Sequence, residues 1–208
     1  MNYPVTNLVC YDLEVYPNYF LAGFRTPTGE VFQYTQDNVA ELRKLPLWLH
    51  TNGYTLCGYN SSGYDDLVLD EFIATGSMKA AYVRSLQIIE HGLKPWDLPS
   101  WPTIQSIDLM PIIPGWHSLK KMGVSLGAHK LQELPVNPKK ELTHEQMIEI
   151  AKYNLNDLEV TQLLLERLQP KLDLRAELSE RYQIDLRSRG EAQIAEREIG
   201  RASCRERV

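Results

Sequence analysis

The chain has 208 residues, 43% of them hydrophobic and 24% charged, with a formal net charge of −5. That length and balance suit an ordinary soluble globular protein: one well-packed domain plus a small extension. The acidic balance excludes a protein that coats nucleic acid by charge alone, although an enzyme that grips phosphates through carboxylate-held cations can be acidic overall. No apolar run approaches the roughly 20 residues needed to span a bilayer, and Met1-Asn2-Tyr3-Pro4 lacks the charged and apolar regions of a signal peptide. The expected setting is therefore the cytoplasm, away from membranes. The three cysteines form an odd, unpatterned set, suited to small buried hydrophobes rather than to a disulfide frame or a zinc site.

In chain order, Val9 to Val15 reads as a strand with an Asp-x-Glu pair inside apolar and aromatic residues. Strand side chains alternate faces, so Asp12 and Glu14 point the same way and leave two carboxylates side by side. Either a divalent cation with oxygen-ligand preference sits between them, or the strand end carries both into water. Pro17-Asn18 marks a turn, Tyr19 to Thr26 a second strand, and Pro27-Thr28-Gly29 a hairpin into a third strand, Val31 to Thr35. Asp37 or Asn38 can cap a helix carrying Val39, Leu42 and Leu45 that continues past Pro46. The apolar run Tyr54 to Tyr59 then suggests a central strand, parallel to the first. A polar loop, Asn60 to Tyr64, opens a helix to about residue 75, and residues 77–92 read as another. The loop 93–102 carries two Trp and three Pro; Trp96 to Trp101 could line a single-strand channel, but Trp with Pro more often packs, and the loop reads as packed. Ile104 to Leu109 is a further strand, with Asp108 as its end cap. Helix 117–126 stops at Gly127. Thr143-His144-Glu145-Gln146 has capping-box spacing and opens the longest helix, to about Gln169 before Pro170. On it Ile150, Tyr153, Asp157 and Leu164 fall near one face, which points an acid at the core. Residues 171–199 read as further helix, and 200–208 continue neither its periodicity nor its composition.

Asp12-Leu13-Glu14 on a strand, Asn60-x4-Asp65 after a strand and Tyr153-x3-Asp157 on a helix occur in one order along residues 8–165. Together they resemble the three motifs of the DEDD superfamily of 3′–5′ exonucleases, in the subclass with tyrosine before the last aspartate. The histidine subclass places His five residues before that Asp, and Lys152 stands there. The spelling Gly58-Tyr59-Asn60-Ser61-Ser62-Gly63-Tyr64-Asp65 is similar to the proofreading domains of family B DNA polymerases and related phage proteins.

The resemblance implies a ribonuclease-H-like fold: an α/β mixed five-stranded sheet flanked by helices, with a C-terminal helical extension. Alternating strands and helices point to the same layers. It implies an exonuclease domain over 1–170 with 171–199 an extension that begins a further domain, and the break in periodicity and composition at 200–208 reads as a non-native tail on a truncated, naturally longer chain. By the same resemblance Asp12, Glu14 and Asp157 ligate one divalent cation and Asp12 with Asp65 a second, both Mg2+ or Mn2+. Tyr153 orients the attacking water or shares its proton. Asn60, Tyr64 and Leu13 meet the substrate, an amide bonding the 3′-terminal sugar or base and an aromatic stacking on an unpaired base. Asp66 reads as a solvated acid in the first turn of its helix. The implied activity is hydrolysis of terminal phosphodiesters at a single-stranded or frayed DNA 3′ end, releasing nucleoside monophosphates. The setting would be the proofreading-type domain of a phage or bacterial replication protein, with a polymerase domain as a partner in the same longer chain. An RNA exonuclease of the superfamily and a non-catalytic nucleic-acid-binding scaffold are the alternatives.

Overall fold

A computed structural model describes residues 3–115, 118–127 and 134–197. The sheet is built around β1 (Leu8–Tyr16), which is buried along nearly its whole length. The turn at Pro17-Asn18 returns the chain as β2 (Tyr19–Arg25), antiparallel to β1 from Cys10 opposite Arg25 to Tyr16 opposite Tyr19. β3 (Val31–Thr35) pairs antiparallel on the outside of β2. On the other side of β1, β4 (Thr55–Gly58) runs parallel to it, and β5 (Ile107–Asp108) runs parallel to β4. The strand order is β3-β2-β1-β4-β5. This is the mixed five-stranded α/β sheet, flanked by helices, of the ribonuclease-H-like expectation.

Alternation along β1 sorts its side chains onto two faces. Val9, Tyr11, Leu13 and Val15 join Phe20, Ala22 and Phe24 in one core with Leu42 of α1 (Val39–Leu42), Leu45 of α2 (Leu45–Asn52), Leu69 and Phe72 of α3 (Asp65–Thr75) and Ala81 of α4 (Met78–His91). Phe20 and Phe72 stack there with ring centroids 3.9 Å apart. Cys10 and Tyr16 face the other way, onto α6 (His144–Tyr182), with α5 (Leu119–Leu126) packed alongside. Asp12 and Glu14 share that second face. No helix among the described residues is long and apolar enough to cross a membrane.

Four local expectations change. Thr35 caps a short 3-10 turn, Gln36–Asn38, whose Asn38 closes the capping box and stands at the N-cap of the helix after it, and that helix breaks at Arg43-Lys44. Pro46 cannot donate to the carbonyl four residues back, so a new helix begins with proline in its first turn. The strand expected over Ile104 to Leu109 narrows to two residues. Thr103 N–H and Ser106 N–H instead donate to Asp70 and Asp66. Trp96 and Trp101 are not packed: they are 70% and 64% exposed, and Pro102 and Ile104 anchor the loop in their place.

The fourth change is that α6 does not stop at Gln169 but runs through Pro170 to Tyr182. Proline leaves the carbonyl of Glu166 without a helical partner, at a cost of about 3 kcal/mol, but this is the exposed side of the helix. Leu164, Leu168 and Leu172 stay buried on both sides of it, and burying one such leucine is worth about 1.5–3 kcal/mol. Leu172 packs in the same cluster as Cys57 and Ile107. Beyond the helix, Ser188 Oγ accepts the N–H of Asp108 at 2.9 Å, so the returning chain covers the edge of β5. Residues 200–208 and His117 lie outside the described residues.

Replacing Phe72 by Ala should cost about 3–5 kcal/mol, because it leaves a cavity against Phe20. Pro170→Ala should add about 1–3 kcal/mol. Urea unfolding midpoints of the two variants, moving in opposite directions, check both; a destabilised Pro170→Ala would mean that the proline is needed where it stands.

Candidate active site

The site forms where the parallel and antiparallel halves of the sheet diverge. β4 ends at Gly58 while β1 continues to Tyr16, so β1 outruns its parallel neighbour. The backbone N–H of Leu13 finds Asp65 Oδ1 at 3.2 Å, while the Leu13 side chain is buried in the core on the opposite face. Asp65 arrives there because the chain turns sharply after β4. Asn60 takes a left-handed conformation (φ 59°), and a Cβ on Gly58 would fall 2.6 Å from that of Ser61. Asp108 holds this turn by accepting from the N–H groups of Asn60 and Ser62 and from the Ser62 hydroxyl. It is a strand-end cap, as its position suggested.

Consecutive acids at the start of α3 point to opposite sides. Asp65 faces β1 beyond the end of β4, whereas Asp66 accepts from the Tyr11 hydroxyl at 2.5 Å and from Ser106 N–H at 3.2 Å. Asp66 is therefore buried rather than solvated, and burial pushes its carboxyl up to about 6.

From the other side, α6 brings Asp157 against Asp12 and Glu14. One carboxylate oxygen from each of these three lies within 4.8 Å of the others. Asp65 is outside that trio but close enough to Asp12 for the two charges to repel. Tyr153 lies one turn before Asp157 on α6, near enough for its phenol and that carboxylate to feel each other. Burial, and then the surrounding carboxylates, hold that phenol well above its ordinary range, so it stays protonated. Tyr64 is partly buried against the α3/α4 core, its hydroxyl 2.7 Å from Ser85 Oγ of α4, and its ring lies close enough to Asp65 to feel the charge. Asn60 is exposed at the rim.

All four acids are raised above the ordinary carboxylate range. Burial is the first cause for each; after it come Asp157 for Asp12, Asp12 for Glu14 and Asp12 for Asp65. Asp157 is pushed up to about 6. Among the described residues no lysine or arginine forms an ion pair with any of them. Converging carboxylate oxygens without an internal cation are the donor set of a hard divalent ion, Mg2+ or Mn2+. The residues present fit such an ion.

Sequence reasoning missed Asn154. The buried stripe of α6 runs Ile150, Asn154, Leu158, Thr161, Leu165, Leu168 and Leu172, and Tyr153 and Asp157 lie along its edge. That edge is where a helical side chain can be held by the core and still meet solvent. Asn154 is fully buried and donates to Asp12 Oδ2 at 2.9 Å and to Asp12 O at 3.2 Å. Its signal was legible: a polar residue midway between Ile150 and Leu158 at helical spacing.

No protein-family model matches the chain, and no curated protein matches it. Among solved structures it is similar to the family B DNA polymerase from the hyperthermophilic archaeon Pyrobaculum calidifontis, with a TM-score of 0.56 and 18% sequence identity. The likeness covers 87% of this chain and 26% of the polymerase, so the chain spans about a quarter of that protein's length. At this identity the likeness is one of fold.

The raised carboxylates predict how stability depends on pH. A folded-state value above the unfolded one, about 4 for a carboxylate, means that the native state binds more protons; its contribution is complete below about pH 4 and is lost as pH rises through about 6, where Asp157 titrates. Melting temperature of metal-free protein should therefore fall between about pH 5 and pH 8, and millimolar Mn2+ should restore it most at the alkaline end. A melting temperature at pH 8 indifferent to Mn2+ would contradict this account of the site.

Proposed function

We propose that the chain is a metal-dependent 3′–5′ exonuclease domain acting on single-stranded or frayed DNA ends. The observation that carries the reading is the trio Asp12, Glu14 and Asp157, drawn from a strand and a distant helix, with Tyr153 one helical turn from Asp157. A cleft that only bound nucleic acid would have no use for unpaired buried carboxylates, since they repel phosphates; cations bound among them reverse the sign.

Asp12, Glu14 and Asp157 would hold one divalent ion, and Asp65 beside Asp12 would help hold a second. Such ions, when bound, lower the pKa of water toward neutrality and neutralise charge on the phosphoryl oxygens. The chain supplies orientation. The Tyr153 phenol, one turn from Asp157, would orient the attacking water toward phosphorus. Water oxygen bonds to phosphorus as the bond from phosphorus to the 3′ oxygen of the penultimate nucleotide breaks. That oxygen leaves with a proton, and the terminal residue departs as a nucleoside 5′-monophosphate. Asn60 at the rim and Tyr64 beside Asp65 would meet the terminal sugar and base. Leu13 contributes through its backbone, which fixes Asp65.

The reading is tested with a 3′-labelled oligonucleotide and Mg2+ or Mn2+, which should yield mononucleotides, with EDTA abolishing the reaction. Asp157→Asn should lower kcat at least about 10³-fold, several kcal/mol of charge stabilisation. Tyr153→Phe should lower it about 10–100-fold, the worth of one hydrogen bond near charge. Unchanged substrate under both metals, or cleavage that survives EDTA, defeats the proposal.

A further inference from the structure

Resting on that reading, we propose that Asn154 is a positioning residue for Asp12, that Gln33 sets its orientation, and that Gly23 is glycine to make room for it. The three come from different elements yet occupy one spot. Asp12 of β1 lies opposite Gly23 of β2, and Gly23 lies opposite Gln33 of β3, so the three form a row across the sheet. Asn154 sits over the row from α6, fully buried.

The direction of the hydrogen bonds is determined throughout. Asp12 presents two acceptors, its carboxylate Oδ2 and its backbone carbonyl, so the NH2 of Asn154 must face it. The amide oxygen then needs a donor, which is Gln33 Nε2 at 3.0 Å. Gln33 cannot turn over without loss, because the same nitrogen donates to Ala151 O at 2.8 Å. A buried network with every member satisfied in one sense permits one geometry. Here that geometry pins Asp12, the acid shared by both proposed cation positions.

Gly23 closes the argument. Its φ does not lie in the left-handed region, so backbone conformation does not call for glycine. Space does: a Cβ there would stand 1.9 Å from Asn154 Oδ1 and 2.9 Å from its Cγ. β2 thus leaves a gap the size of one methyl group, and the amide fills it. Partners that hold a metal ligand in place affect metal affinity or activity about 10–100-fold when removed.

The test compares wild type, Asn154→Ala, Gly23→Ala, the double variant and Gln33→Ala, each as the full chain. Calorimetric titration with Mn2+ is combined with kcat and KM on the labelled oligonucleotide. Asn154→Ala should bind Mn2+ about 10–100-fold more weakly and lose kcat with KM for DNA unchanged, and excess Mn2+ should recover part of the rate. Gly23→Ala should show the same losses although it is not itself a ligand. On the Asn154→Ala background it should add little, because the atom it displaces has gone. Gln33→Ala should lose a few-fold. If wild type and Asn154→Ala bind Mn2+ alike while only the melting temperature falls, Asn154 is a packing residue and the inference is overturned. Should Asn154→Ala not fold, Gln33→Ala decides, and wild-type Mn2+ affinity in it overturns the inference. A wild type that binds no Mn2+ removes the metal reading itself, and this inference with it.

Discussion

Like charge packed out of water is the constraint on which this molecule turns. Asp12, Glu14, Asp65 and Asp157 gather where β1 extends past β4, and each would gain by moving apart. What holds them is not mutual attraction but the apolar packing on either side. Leu13 and Val15 anchor β1 from one face. Ile150, Leu158 and Leu164 seat α6 on the other. Burial of that order, about 1.5–3 kcal/mol per large side chain, is what opposes the repulsion. The strain is local and electrostatic, and a divalent cation bound there would relieve it.

The two faces of the sheet therefore do different work. The face toward α1 to α4 is largely apolar; its buried Asp66 accepts from a tyrosine hydroxyl and a backbone N–H, and its buried Ser85 lies 2.7 Å from the Tyr64 hydroxyl. The face toward α6 gives up part of its core to polar groups. Asn154 and Gln33 occupy positions that apolar side chains would fill in a purely structural layer, and Gly23 lets Asn154 approach the backbone. Such departures from good packing are stable only because Leu158, Leu165, Leu168 and Leu172 extend the buried stripe of α6 well beyond the site. The same extension carries the helix through Pro170.

Much was legible in the residue order, because the governing forces are local. Alternation placed Asp12 and Glu14 on one side of a strand. The meander, the parallel apolar strand, the capping box at Thr143 and the spacing from Tyr153 to Asp157 each depend on a few neighbouring residues, and each is present as read. Where local signals compete with long-range packing, packing prevails: the leucine stripe of α6 overrides the proline stop at Pro170, and Pro102 and Ile104 rather than the tryptophans anchor the loop.

Which side chains meet was settled by the tertiary structure alone. Nothing in the pair Asp65-Asp66 says that one faces Leu13 and the other Tyr11, because that depends on where β4 stops and how α3 leaves it. Nor does any stretch of sequence place Gly23, Gln33 and Asn154 around one carboxylate, since strand register and helix docking bring them there from three separate elements. The chain by itself specified its strands, its helices and its stock of acids. Convergence of those acids, and the order of the amides behind them, arises from packing between residues 52 to 142 positions apart, which local periodicity does not encode.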